Sequence, residues 1–377
     1  MAGIYIHIPY CKQVCYYCDF HFSASLKDKG RMIKAILKEA EMQKDYLRGQ
    51  SVNTIYFGGG TPSVLDTAEV QILLEALMKH YPVTANPEVT FEANPDDLTA
   101  GYLQHLINIG INRLSTGIQS FHDKTLQWLN RRHDAKQSYQ CIDLAQKAGF
   151  DNINIDLIYG IPGMTSKEWE YQLDEVFAMN IQHLSAYLLG IEPKTVLDFY
   201  LRKQRFKPVD DDACIEQHQI LLDKIRQYGF IPYEISNFAP DGCISQHNTG
   251  YWRGAVYLGL GPSAHSYNRD TRQWNIAFNK KYMEAIEQDR VPCTVETTDN
   301  KTAYNDYVLT NIRTIWGIDP IYVSKTFGAP YHAHMLRALA NYIETGTVVC
   351  KNGTYILSDQ GRCIVNTVAE DLFIANY

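Results

Sequence analysis

The chain has 377 residues, 45% of them apolar, a formal net charge of −7 and a pI near 5.9. This is long enough for one large α/β domain and a smaller one, with a sizeable buried core. An acidic chain argues against broad electrostatic binding to nucleic acid, which needs a basic face, and no nucleic-acid partner is expected. No apolar run approaches the roughly 18 residues of a membrane-spanning helix. The opening MAGIYIHIPY has no basic stretch leading into an apolar one, so a cytoplasmic location is expected.

A strand-then-helix rhythm occupies the first two thirds. Ile4–Ile8 reads as a strand, and Arg31–Leu47 as a helix with Ile33, Ile36, Leu37 and Ala40 on one face. Thr54–Phe57 is a second strand, and Val70, Leu73, Leu74 and Leu77 mark a second helix. Further strands are expected at Glu88–Phe91, Asn112–Thr116, Ile153–Ile158 and His183–Leu188. Gly110, Gly149 and Gly229 each follow a helical stretch and precede an apolar strand, where glycine closes a helix in the left-handed conformation. The alternation implies parallel strands joined by right-handed crossovers. The expected fold class is α/β. Six such units suit a partial (β/α)6 barrel, with a doubly wound sheet as the rival.

From about Glu296 the rhythm changes. Helices near Tyr304–Ile315 and Tyr331–Ile343 are followed by a hairpin, Thr347–Leu357, turning at Asn352-Gly353, and by a last helix near Gly361–Leu372. The expected division is a barrel domain over residues 1–290 and a small mixed α/β, winged-helix-like domain over 291–377. The segment from Glu296 onward carries eight acidic and six basic residues, which does not favour a DNA-reading role for the hairpin.

Six of the nine cysteines are scattered, as free thiols in a reducing compartment are. The other three form Cys11-x3-Cys15-x2-Cys18. Three thiolates in one loop hold a [4Fe–4S] cluster with one iron left open; the alternative is a closed zinc site with His21 as fourth ligand. Gly58-Gly59-Gly60-Thr61-Pro62 directly follows the second strand. Glu92 ends the third, Gln119 follows the fourth and Asp156 lies in the fifth. In a (β/α) barrel, residues at the carboxyl ends of successive strands meet at one mouth.

On these residues the chain resembles the radical S-adenosylmethionine (SAM) superfamily. The strings IYIHIPYCKQVCYYCDF, FGGGTPS, FEANPDDL, LSTGIQSF and NIDLIYGIPG resemble oxygen-independent coproporphyrinogen oxidases and their HemW-type haem-chaperone relatives through most of the chain. The resemblance implies a radical SAM barrel. It places the cluster on Cys11, Cys15 and Cys18, and Tyr5 near cluster and SAM. The Gly58, Gly59, Gly60 and Thr61 backbone and Glu92 would meet the SAM amino group. Gln119 and Asp156 would meet the ribose, and Arg131 the carboxylate, with Arg132 easily confused with it. The implied chemistry is one-electron cleavage of the sulfonium, giving methionine and a 5′-deoxyadenosyl radical.

The true oxidases carry a fourth cysteine two residues after the third and a longer N-terminal segment. This chain has Phe20 at that position, and a strand begins almost at once. Both features match the chaperones. Gln246-His247-Asn248-Thr249-Gly250-Tyr251-Trp252 resembles their haem-binding string, with His247 as iron ligand and two aromatics for a porphyrin face. Tyr257–His265 reads as a glycine-rich turn near the mouth, and His265 is a second haem candidate. The resemblance thus implies haem as cofactor and cargo, respiratory haem proteins as clients, and room for a homodimer and a peripheral membrane contact. The rivals are a coproporphyrinogen III dehydrogenase, an activity that Phe20 argues against, and another radical SAM enzyme of this clade, a methyltransferase or haem-degrading enzyme.

Overall fold

A computed structural model describes residues 2–374. Six parallel strands appear where the periodicity places them: β1 (Ala2–Ile8), β2 (Val52–Gly59), β3 (Val83–Ala93), β4 (Arg113–Gln119), β5 (Ile153–Tyr159) and β6 (His183–Leu188). Next come β7 (Ile231–Pro232), β8 (Asn237–Ala239), β9 (Val256–Leu260), β10 (His265–Tyr267), β11 (Thr271–Asn275) and β12 (Cys293–Thr297). These form one sheet ordered β12-β11-β10-β9-β1-β2-β3-β4-β5-β6-β8-β7.

Side chains alternate along each strand, and here the alternation separates two chemistries. Ile4, Ile6 and Ile8, Ile55 and Phe57, Val89 and Phe91, and Ile153, Ile155 and Leu157 join the main hydrophobic core, beside helix residues such as Ile36, Leu74 and Trp169. The intervening positions carry Tyr5, Tyr56, Glu92, Arg113, Ser115, Asn154, Asp156, His183 and Ser185, which line a common cavity. One face of the sheet therefore packs on helices, and the other encloses a polar interior. That is a partial barrel rather than a doubly wound sheet, which would be covered by helices on both faces.

Local signals set the helix ends. Thr165 and Glu168 cap the Ser166–Ala178 helix reciprocally: the Glu168 N–H donates to Thr165 Oγ1 (3.2 Å), and the Thr165 N–H to Glu168 Oε2 (2.7 Å). Gly110, Gly149 and Gly229 all have positive φ, as their positions suggest. The helix expected over Arg31–Leu47 spans Lys29–Met42 instead. The chain leaves it through turns that place Arg48 and Gly49 at positive φ.

Two regions depart further from expectation. Tyr257–His265 is not simply a turn. Val256–Leu260 is a seventh parallel strand, paired with β1 on the side away from β2, and β10 folds back against it. A glycine within the strand, Gly259, and another just after it, Gly261, mask it. Gly259 is needed because the His265 carbonyl occupies the space of a Cβ. β12 also pairs with β11, so the large sheet runs to Thr297, past the expected division at 291. A separate core built from Tyr304, Val308, Val323, Met335, Leu339, Val368 and Leu372 lies beyond it. It contains the expected hairpin, Val348–Lys351 with Thr354–Leu357. It also contains an unexpected helix, Pro320–Phe327, whose first turn donates to Asp319 Oδ1 from Ile321 N (2.8 Å) and Tyr322 N (3.2 Å). The single expected last helix is broken in two at Ile364.

Glu39 joins the Lys29–Met42 helix to the far half of the sheet. Fully buried, its carboxylate accepts from Gly261 N (2.7 Å), Tyr282 Oη (2.6 Å), Asn275 Nδ2 (2.6 Å) and Gln43 Nε2 (2.9 Å). Burial pushes the carboxyl up to about 7, against the pull of these donors. Glu39→Leu is expected to destabilise the protein by about 3 kcal/mol, because buried donors lose their acceptor. Urea denaturation measures it.

Candidate functional site

The cysteine loop leaves the carboxyl end of β1 and lies over the barrel mouth. Cys11 is buried, while Cys15 and Cys18 are partly exposed. The Thr61 hydroxyl donates to Cys11 Sγ (3.3 Å), and Arg131 Nη1 donates to Cys15 Sγ (3.3 Å). Donors aimed at sulfur stabilise thiolates and tune iron–sulfur clusters. Burial pushes the Cys11 thiol up to about 11 and the Cys18 thiol up to about 12, so loading metal here releases protons. The zinc alternative fits poorly. Among the described residues, no three ligand side chains converge on a single metal ion. A cubane places each thiolate on a different iron and needs no such convergence.

The GGGTP segment is shaped first by packing. A Cβ on Gly58 would meet Tyr5 and Tyr56 at 2.9 Å. One on Gly59, at φ 105°, would meet His7 Nδ1 at 2.6 Å, and one on Gly60 would meet the Tyr10 backbone. These glycines let β1 and β2 close together below the cysteine loop. The Gly60 N–H already donates to the Ile8 carbonyl (2.9 Å). An ammonium needs acceptors, so this segment can still offer carbonyl oxygens.

The residues expected to bind SAM form two adjacent groups. Tyr5, Glu92 and Asp156 line one cavity of about 220 Å³, together with His247. Tyr56 Oη donates to Glu92 Oε1 (2.7 Å), and Asn154 Nδ2 to Asp156 Oδ1 (2.7 Å). Burial pushes Glu92 up to about 7, opposed by the Tyr56 hydroxyl, and burial also raises Asp156. Arg131 and Gln119 stand beside this cavity, at the cysteine loop. Arg131 Nη2 donates to Asn94 Oδ1 and to the Gly117 carbonyl, each at 2.7 Å, while its Nε is buried without a partner. Gln119 sits at a register shift between β4 and β5 with φ 67°, an uncommon conformation for a residue with a side chain. Arg132 is occupied elsewhere, paired with Asp96 at 2.8 Å. The orphaned Arg131 Nε, the donors on sulfur and the three-thiol set suit a cluster with SAM beside it.

His247 is placed differently from the expectation. It is 4% exposed, and both ring nitrogens are engaged: Nδ1 with Thr54 Oγ1 (2.7 Å) and Nε2 with Tyr251 Oη (2.8 Å). Burial lowers its pKa to about 3, so the ring is neutral. As an iron ligand it would first have to release one hydroxyl. Tyr251 meets its ring edge-on (centroids 4.9 Å apart), rather than presenting an open face for a porphyrin. His265 is exposed, lies against Trp274 and borders a cleft of about 480 Å³ with Ile276, Pro292 and Cys293. Sequence reasoning missed Arg113, Tyr56, Asn94, Asn154 and His183. For all but Asn94, which follows β3, the signal is the period-two polar alternation within strands otherwise read as apolar.

The family model of the radical SAM superfamily matches residues 5–176. Fold, cysteine loop and family model together define a radical SAM protein. The chain is 32% identical to the haem chaperone HemW of Bacillus subtilis over 98% of each chain. It is 36% identical to HemW of Escherichia coli over 70% of this chain and 69% of that one. The fold also matches the coproporphyrinogen III oxidase HemN from Escherichia coli. The TM-score is 0.85 over 98% of this chain and 89% of that one, at 22% identity. The chain belongs to the HemW family, close to HemN within the radical SAM superfamily. Membership implies a [4Fe–4S] cluster and SAM, the group that supplies the radical chemistry when bound.

Two outcomes are expected. Anaerobic reconstitution should load roughly four irons per chain, the content of a cubane, and Cys11→Ala, Cys15→Ala or Cys18→Ala should each abolish loading, as read by iron and sulfide analysis. SAM affinity of the loaded protein should fall roughly tenfold between pH 8 and pH 6. This outcome is expected where Glu92 meets the SAM ammonium, because a carboxylate holds a cation more tightly than the neutral acid, and burial puts its protonation at about pH 7. Calorimetric titration of Glu92→Gln should give weaker binding and a flat profile.

Proposed function

We propose that this protein binds haem and hands it to haem-protein acceptors, with cluster and SAM at the barrel mouth. The observation that carries this reading is its end-to-end similarity to a haem chaperone, 98% of both chains. The cluster is held by Cys11, Cys15 and Cys18. SAM meets the Gly58–Thr61 backbone and Glu92 through its amino group, Asp156 and Gln119 through its ribose, and Arg131 through its carboxylate, where a guanidinium matches the fork. Tyr5 closes the inner side.

Phe20 supports the chaperone over the oxidase. It stands two residues after Cys18, is 67% exposed, and has no exchangeable hydrogen to move, whereas a thiol there would. Geometry also bears on the iron ligand. An imidazole ligates haem iron only through a free ring nitrogen. His247 has both nitrogens bonded, whereas the His265 ring makes no hydrogen bond among the described residues. The cleft at His265 lies within the usual range of about 300–1,000 Å³ for ligand sites. His265 is therefore the first imidazole to meet haem, and His247 ligates only after Tyr251 turns away.

The test is anaerobic titration of cluster-loaded protein with haem, followed by visible spectroscopy. His265→Ala should weaken binding at least tenfold, and His247→Ala should act less. The same protein, given SAM and a low-potential reductant, should leave coproporphyrinogen III unconverted. Repeated turnover to protoporphyrinogen would overturn the chaperone reading, and a loss confined to His247→Ala would return the iron ligand to that residue.

A further inference from the structure

The polar barrel interior holds a cation that no side chain neutralises by contact. Arg113 opens β4, is 3% exposed, and lines the 220 Å³ cavity with Ser115, Asn154, Ser185, Asn237 and Asn248. Its Nε is buried without a hydrogen-bond partner, and among the described residues no hydrogen bond or ion pair engages its guanidinium. Its surroundings could have supplied one but are bonded elsewhere. Asn154 donates to Ser115 Oγ (2.8 Å) and to Asp156, and its Oδ1 meets His183 Nδ1 (2.6 Å) and accepts from the Ser185 hydroxyl (3.1 Å). Ser185 and Asn237 lie within hydrogen-bond distance of each other at 2.8 Å. The Asn248 amide donates to Tyr233 Oη (3.2 Å). Glu92 and Asp156 line the same cavity and feel the Arg113 charge, which opposes the upward push of burial on both carboxyls, but neither makes a direct ion pair with the guanidinium.

A buried charge left without a partner is unfavourable, and a guanidinium keeps its charge and presents a planar fork of donors. Register fixes its depth. Glu92 pairs with Ser115, while Arg113 pairs with Thr90, two residues or about 6.6 Å deeper into the barrel. We infer that Arg113 is the floor of a carboxylate-binding subsite, which receives the acid arm of a ligand entering below the SAM-binding residues. The fork matches a carboxylate bidentately, and the serine and asparagine side chains around it can rearrange as further donors. The room at Arg113 suits an acid arm and not a whole macrocycle. That carboxylate belongs either to a porphyrin side chain or to a free small acid, and only the first source rests on the haem reading above.

Two measurements test the subsite. Wild-type crystals soaked in sodium bromide should show an anomalous peak within hydrogen-bond distance of the Arg113 guanidinium. Arg113→Met should remove the peak and Arg113→Lys should keep a weaker one. Water alone at Arg113 in the wild type, or a peak that persists in Arg113→Met, would overturn the inference while leaving the chaperone reading intact. Cluster-loaded wild type is then titrated with haem and with haem dimethyl ester. Binding of the ester at least tenfold weaker than haem, with the difference lost in Arg113→Met, assigns the subsite to a porphyrin propionate. Equal binding of both, alongside a bromide peak that propanoate displaces, assigns it to a free small carboxylate. Bromide that propanoate cannot displace would overturn the carboxylate assignment.

Discussion

The molecule depends on a two-residue alternation in which both faces of each central strand are buried, but in opposite chemistries. Parallel strands in α/β proteins are ordinarily apolar on both faces. Here one face supplies Ile4, Ile55, Phe91 and Leu157 to the helices, while the other gives the interior Tyr5, Tyr56, Glu92 and Asp156. Interior polar groups are tolerable only when they bond one another, and most do. Asn154 alone links Ser115, Asp156, His183 and Ser185. Among those left unmatched are Thr90 Oγ1 and the two cationic groups Arg113 Nε and Arg131 Nε, and the cations stand where a ligand's charge is expected.

Much of this was legible in the sequence. β1 to β6 followed from short apolar runs, with Gly110 and Gly149 closing the helices before β4 and β5, and β6 was placed to the residue. The three-cysteine loop and the residues at successive strand ends followed from spacing and order. What was hidden has physical causes. β9 carries Gly259 and is followed at once by Gly261, so its pattern resembles a turn, and its pairing with β1 links residues more than two hundred and fifty apart in the chain. The Pro320 helix is short, and its Asp-Pro start was overlooked between longer periodic segments. Arg113 begins a strand, where a charged residue ordinarily faces solvent.

The site shows a similar division. The family resemblance implies which residues would bind SAM, and the structure separates them into Glu92 and Asp156 in the cavity and Arg131 with Gln119 at the cysteine loop. A sequence string cannot report that His247 is already bonded on both nitrogens, because Thr54 comes from a distant strand. The same string that suggests a haem ligand therefore also describes an internal clamp between β2 and the Gln246–Trp252 helix.

A barrel that stops short of closure keeps two free edges, and a free strand edge is a template on which other chains can aggregate. At one edge lies β7, only two residues long, its second residue a proline without an N–H to donate. Arg362, from the C-terminal helices, reaches across to it, donating to the carbonyls of Pro232 (2.8 Å) and Glu234 (2.9 Å). The small domain thus acts as a stopper on the sheet, occupying acceptors that would otherwise invite another strand. Shortening the chain before Arg362 would trade a compact protein for one prone to self-association, even with every residue of the barrel in place.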